Sequence, residues 1–322
     1  MGNSTADSSS GSAPGRKRRS FLIDFMIRLW KEKPLGMVGG AITLLLLLIA
    51  IFANFLAPYG MNECHMEDYL SPTSATHWLG ADNLGRDILS RVIFGARISV
   101  IVGLAATIVS TIISIIIGLL SGYFGGKFDM IVQRFVDAWM CFPGLLILMV
   151  LMSVIGTGMW QVIAVLGLLY GINSSRIIRS AVLSTKENVY VQAAVAIGCP
   201  SGRILMRHIL PNVMAPIIIR FTTRVPDVIL TEASLSFLGF GIPPPTPSWG
   251  SMLSGSGRGY MFLAPWIAIW PGLALAVTVY SVNMFGDAVR DLLDPRLRGG
   301  MGRYGVRVKK KSRRKSVSIQ KS

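Results

Sequence analysis

Three charged side chains, Arg220, Arg224 and Asp227, stand in a stretch from Pro211 to Thr231 that is otherwise free of charge. A charge in apolar surroundings is costly, so it faces a cavity, a partner or its own counter-ion. Arg220 and Arg224 are one helical turn apart, Arg224 and Asp227 lie at i,i+3, and Pro226 frees a backbone carbonyl nearby. Guanidiniums at this spacing can line a path and meet the carboxylates of a passing molecule or of a partner. The alternative is an internal Arg224–Asp227 pair with Arg220 reaching to the lipid headgroups.

Catalytic chemistry is otherwise poorly provided for. No G-x-x-x-x-G-K-[ST] loop is present to cradle phosphates; Gly125-Gly126-Lys127-Phe128 comes near, but Ser121 replaces the first glycine and Phe128 the hydroxyl. His65, His77 and His208 form no constellation with Ser or Asp that spacing supports. Glu63-Cys-His-Met-Glu-Asp68 holds potential metal ligands but no second set at fixed spacing, and reads as a solvated loop. Cys64, Cys141 and Cys199 lie too far apart in sequence to suggest a disulfide framework. No catalytic residue, metal site or cofactor site is therefore expected on this chain.

The elements that position the charges follow from composition. Of 322 residues 52% are hydrophobic and 15% charged, against roughly 25% charged in an ordinary soluble domain. Mean hydropathy is +0.55. That is too much apolar surface for one water-soluble core and excludes disorder over most of the length. The chain nevertheless carries 32 Lys and Arg against 16 Asp and Glu, a net charge of +16. A nucleic-acid partner would need those cations on a soluble face, and they are placed otherwise.

Crossing a bilayer as a helix takes about 20 mostly apolar residues. Pro34 to Asn62, Ile98 to Gly126, Ala138 to Ser175 and Gly259 to Gly286 contain no Asp, Glu, Lys or Arg. The third interval is long enough for a hairpin turning at Gly156-Thr157-Gly158, its first helix beginning near Met130, and Phe142-Pro143 is expected to kink or start the core of that span. With the Pro211 stretch, six spans are predicted, over about 35–57, 98–120, 131–155, 159–180, 211–231 and 263–286, giving an all-α, polytopic membrane protein. Glycines at four-residue spacing, Gly36/Gly40, Gly118/Gly122, Gly122/Gly126 and Gly167/Gly171, predict close helix contacts.

Loop charge sets orientation. With both termini cytoplasmic, 26 of the 32 Lys and Arg and nine of the 16 acids lie inside. An even number of spans requires the same arrangement, and no nucleic acid is needed to explain the charge. Residues 58–96 and 232–258 then lie outside. Residues 1–20 read as a disordered basic tail without the apolar core of a signal peptide, and 299–322 as a second basic tail, which can touch anionic lipid. In 21–33, Phe21, Leu22, Phe25, Met26 and Leu29 share one face, predicting a helix lying in the membrane interface. Gly241 to Pro247 is too proline-rich for a helix and predicts a stiff outer loop, with Trp249 anchoring at the interface.

The inner loop, 184–210, is itself patterned. Tyr190, Ala193, Ala194 and Ile197 recur at i, i+3, i+4 and i+7 as a narrow apolar face; Gly198 breaks the helix and a second short one begins at Pro200. Such a helix can receive another protein's groove or pack on its own bundle. Gln192-Ala193-Ala194-x-x-x-Gly198 followed by Ile209-Leu210-Pro211 resembles the EAA signature of ATP-binding-cassette importer permeases, with Gln192 for the usual Glu and His208 at a position usually Ile. Gly80 to Ser99, Ser234 to Gly250 and Gly286 to Arg296 resemble the dipeptide/oligopeptide permease C subunit.

The resemblance spans about 35–298 and implies the type I importer permease fold. It makes Tyr190, Gln192, Ala193, Ala194, Ile197, Gly198, Arg203, Arg207, Leu210 and Pro211 candidates for docking ATPase subunits, and Arg220, Arg224 and Asp227 candidate path residues. It also implies a prokaryotic plasma membrane, a second, B-type permease, two ATPases that bind the ATP and Mg²⁺, an extracytoplasmic binding protein and a peptide substrate. Glutathione or nickel complexes are the alternative cargo. A membrane-embedded enzyme would need paired ionisable residues at one depth, and a stand-alone secondary transporter inverted repeats; beyond the fifth-span cluster neither pattern is present.

Overall fold

The computed structural model describes residues 21–293, with side chains from residue 27 onward. The two expected tails, 1–20 and 299–322, lie outside the described residues. Within them the chain is helical, without strands apart from one bridge between Ala81 and Asp87. The principal helices are α1 (Phe21–Glu32), α2 (Pro34–Ile51), α3 (Ile88–Phe124), α4 (Gly126–Met140), α5 (Gly144–Ile155), α6 (Met159–Lys186), α7 (Val189–Ala196), α8 (Met214–Phe237) and α9 (Trp266–Leu293).

Five continuous helical stretches are long and apolar enough to cross a membrane: α2, α3, α6, α9, and the run Ser201–Phe237 that ends in α8. The pair α4 and α5 supplies a sixth only as a broken span, bent by 90°. A span over 131–155 that kinks or starts its core at Phe142–Pro143 is expected, and the break is sharper than a kink: Pro143 has no N–H for the helix ladder and disfavours helical backbone before it, so the chain turns at Cys141–Pro143. The hairpin between α5 and α6 turns at Gly156–Gly158, as anticipated.

The helices outrun the charge-free intervals. α3 starts at Ile88, ten residues before its expected span, because Asp87 caps it by accepting a hydrogen bond from the Ser90 amide. It stops where Gly125, at φ +63°, turns the chain into α4. α6, α8 and α9 likewise carry Arg179, Glu232 and Asp287 on continuous helix past the ends of the apolar runs.

α3 and α6 make the most extensive helix contact. Gly118 lies against Ser175 and Ile178, Gly122 against Val182, Gly167 against Val109 and Gly171 against Ile113. On the other side Gly36 meets Ala288 and Gly40 meets Phe285, seating α2 on α9. Gly126 departs from the expected pattern: a Cβ there would meet nothing within 4 Å, and its φ of +58° shows a turn residue rather than a contact.

Two ends of the bundle follow from the contacts. Arg97, near the start of α3, donates to the carbonyls of Ala50 and Ile51 at the end of α2, so these helices run antiparallel. Lys33 and Asp291 pair at 2.5 Å at the opposite end, which brings the entry to α2 and the exit of α9 together. The segment 57–87 covers the first end.

Candidate functional site

At the second end, α6 runs on to Lys186, whose Nζ donates to the Tyr123 carbonyl at the foot of α3 at 2.6 Å. Beside it Arg179 of α6 pairs with Asp129 of α4, Nε to Oδ1 at 2.6 Å, and Ser121 Oγ joins the same carboxylate. The chain then turns through Glu187 and Asn188 into α7. Gly198, at φ +75°, ends that helix, its amide and that of Cys199 closing on the Val195 and Ala194 carbonyls. Pro200 opens a second short helix, Ser201–Arg203, which passes through wide, π-type turns at Ile204–Ile209 and a tight one at Leu210–Val213 into α8.

This elbow has two faces. Val191, Ala194, Ile204, Leu205, Ile209, Val213 and Ile217 are buried against Leu119 and Tyr123 of α3 and Ile178 and Val182 of α6. Tyr190, Gln192, Ala193, Gly198, Arg203, Arg207 and Pro211 are exposed, and Ile197 is 83% exposed. The anticipated face of Tyr190, Ala193, Ala194 and Ile197 is therefore split. Ala194 points into the bundle, where its small side chain lets α7 lie close, and Leu210 is half-buried in the same cluster. What remains outward is a strip of Tyr190, Ala193 and Ile197.

Midway along the bundle, α8 and α6 bring the charged residues into one cluster. The Arg224 guanidinium lies over the Tyr170 ring at 4.6 Å, donates to Asp227 Oδ2 at 3.1 Å and reaches Ser174 Oγ at 3.4 Å. Tyr170 and Thr231 hydroxyls are 2.6 Å apart. The internal Arg224–Asp227 pair is thus present. Arg220 has no side-chain hydrogen bond or ion pair among the described residues, and the Nε atoms of both arginines are shielded without partners. The Thr222 carbonyl, which Pro226 deprives of a helical donor, faces Gly286 of α9.

Near the first end the structure assembles a cluster that spacing did not reveal. His77, 1% exposed, binds Asp87 Oδ1 through Nδ1 at 2.9 Å and Asp68 Oδ2 through Nε2 at 3.2 Å, with the Tyr59 ring 5.1 Å away. Burial opposes the ring's charge, but the hydrogen bonds its N–H groups donate to Asp87 and Asp68, and the charges of those carboxylates, outweigh it and raise the His77 pKa above the ordinary histidine value. The sequence signal that could have pointed here is an acid, Asp87, just before the helix that starts at Ile88. Among the described residues no group of three or more His, Cys, Asp or Glu is placed to hold a metal. Trp249 is no membrane anchor: it is 1% exposed, packed on Gly95, with Nε1 donating to the Val92 carbonyl at 3.1 Å. Gly95, which leaves room for the indole, is why it turns inward.

Two family models match the chain. One, the binding-protein-dependent transport system inner membrane component, covers residues 114–299; the other, the N-terminal TM domain of oligopeptide transport permease C, covers 20–73. The chain belongs to the binding-protein-dependent transport permeases. Two relatives are glutathione transport system permease proteins GsiD, from Shigella flexneri serotype 5b (strain 8401) at 41% identity and from Escherichia coli O6:K15:H31 (strain 536 / UPEC) at 38%. Each match runs over 273 residues, 84% of this permease and 90% of the relative. An inward-facing structure of the MetNI methionine ABC transporter superposes with a TM-score of 0.47 at 18% identity, covering 61% of this permease and 94% of that chain.

By its family membership the permease is a multi-pass membrane component of an ATP-binding-cassette importer, a transport subunit rather than an enzyme. Membership implies that it works with a partner permease, ATPase subunits and a substrate-binding protein.

Proposed function

We propose that this permease carries peptides across a prokaryotic plasma membrane, with glutathione, itself a tripeptide, foremost because the GsiD relatives bear its name. Drive enters through the elbow at 189–211. The observation that carries this reading is the division of that elbow: an outward strip of Tyr190, Ala193 and Ile197 is free to seat in another protein, while Val191, Ala194, Ile204 and Ile209 lock the other face to α3 and α6. Motion imposed on the strip passes through the turn at Gly198–Pro200 into the run from Ser201, which continues into α8 without an intervening loop.

In this reading ATP and Mg²⁺ bind the ATPase subunits, two in number, that seat on the strip, with Gln192, Gly198, Arg203, Arg207 and Pro211 bordering it. A B-type permease completes the path and an extracytoplasmic binding protein delivers the peptide. The Lys33–Asp291 pair supports placing both termini on the elbow side, and the surplus of Lys and Arg there supports making that side cytoplasmic. Replacing Ile197 with Asp puts a charge into the contact. The expected result is loss of co-purifying ATPase subunits with membrane insertion intact; full retention of the ATPases with Ile197→Asp and Tyr190→Ala together would overturn the docking assignment.

A further inference from the structure

We propose that Arg220, beside the Arg224–Asp227 pair, is a carboxylate-binding step in the translocation path, favouring peptides that carry an acidic group; the proposal rests on the peptide-permease reading above. The α8 cluster contains two guanidiniums and one carboxylate, and Arg290 of α9 is near enough to act on Arg220 as a further positive charge, so positive charge is in excess here. Arg224 is tied down by Asp227, Ser174 and the Tyr170 ring. Arg220, half-buried, is the cation left over.

An arginine at the centre of a helix in hydrocarbon costs roughly 2.5–3.5 kcal/mol on insertion scales and is found facing water or an acid. A second observation places polar surroundings on this face independently. The Asp227 side chain is 54% exposed, which hydrocarbon would not tolerate. Thr223, Thr231 and, from α6, Tyr170 and Ser174 continue the same wall. The opposite face of α8 is of another kind: Phe221, Val225 and Ile229 line an apolar cavity with residues of α2, α3 and α9. Polarity is thus segregated to one side of the helix.

A guanidinium presents a planar fork that matches a carboxylate. A moving ligand must also be released, and here Asp227, two turns from Arg220, tempers the positive field without cancelling it. Attraction without a permanent partner suits passage better than a fixed inter-subunit ion pair.

The test uses the full importer, with partner permease, ATPases and binding protein, in proteoliposomes. Uptake of Ala-Glu-Ala and Ala-Gln-Ala is measured at concentrations that saturate the binding protein, and the ratio of their rates is the readout. Wild type is expected to favour the Glu peptide. Arg220→Gln should lower the ratio about tenfold, the size of one lost charge-assisted contact, and Arg220→Lys should keep most of it. Two results overturn the proposal: an unchanged ratio in Arg220→Gln, or loss of the co-purifying partner permease from that variant, which would assign Arg220 to an acid on that subunit. Wild-type failure to take up either peptide would instead strike the peptide-permease reading, and this proposal with it.

Discussion

Replacing Gly118 with alanine tests a close backbone approach in the most extensive helix contact of the described residues. A Cβ at this position would lie 2.7 Å from the Ser175 carbonyl oxygen, 2.8 Å from Ile178 Cβ and 2.9 Å from the Arg179 amide nitrogen. Ordinary contact begins near 3.4 Å, so α3 and α6 must part by about 0.7 Å. Two of the three obstructing atoms are backbone, and no side-chain rotation relieves the clash. Overpacking of this kind costs about 1–3 kcal/mol. Because the same pair of helices is also seated at Gly122, Gly167 and Gly171, the shift cannot be absorbed locally. Thermal unfolding of the detergent-solubilised protein, followed by circular dichroism, should show the midpoint fall by several degrees. Gly259→Ala is the matched control: nothing lies within 4 Å of Gly259 and its backbone is not left-handed, so the change there should stay within about 0.5 kcal/mol. Equal midpoints for the two variants would refute the close approach.

Two further consequences concern the end covered by 57–87. The His77 pKa is raised in the folded protein, so the ring's contribution is fully present below the unfolded value of about 6.5 and is lost as pH rises through the raised one. Protection of the 57–87 amides, relative to their intrinsic exchange rates, should fall over that window, and His77→Phe should remove this fall; an identical protection profile in the variant would dismiss the Asp68–His77–Asp87 clasp. Trp249→Ala should cost about 3–5 kcal/mol through the cavity it leaves against Gly95. A loss under 1 kcal/mol in denaturant unfolding would return Trp249 to a surface role.

Five of the six expected crossings, and their order, were legible because hydrocarbon disfavours Asp, Glu, Lys and Arg, and the intervals poor in them are visible directly; the sixth is present only as the bent pair α4 and α5. Helix lengths were not, since a helix continues past the bilayer wherever its backbone is satisfied; Asp87 and Gly125 bound α3, not the charges of Arg91 and Arg97. Pro143 announced a break, but the 90° angle depends on how α5 packs against α6. At the elbow the apolar residues were identified, yet Ala194 and Ile197 ended on opposite faces, because an eight-residue helix with apolar residues all round does not declare which face turns inward. The Arg224–Asp227 pair followed from i,i+3 spacing, whereas Tyr170 and Ser174 came from a different helix. His77, Asp68 and Asp87 are joined only through the folding of an irregular segment, which carries no periodicity to read.

The central claim is that ATP hydrolysed elsewhere drives import through the α7 strip. Its most direct measurement is ATP-dependent uptake of Ala-Gln-Ala by the reconstituted complex, comparing wild type with Ile197→Asp while the complex's peptide-binding protein is held saturated. Uptake that requires ATP in wild type and falls at least tenfold in Ile197→Asp, with the protein still inserted, is the predicted result. Uptake that proceeds without ATP, or that Ile197→Asp leaves intact, would contradict the account.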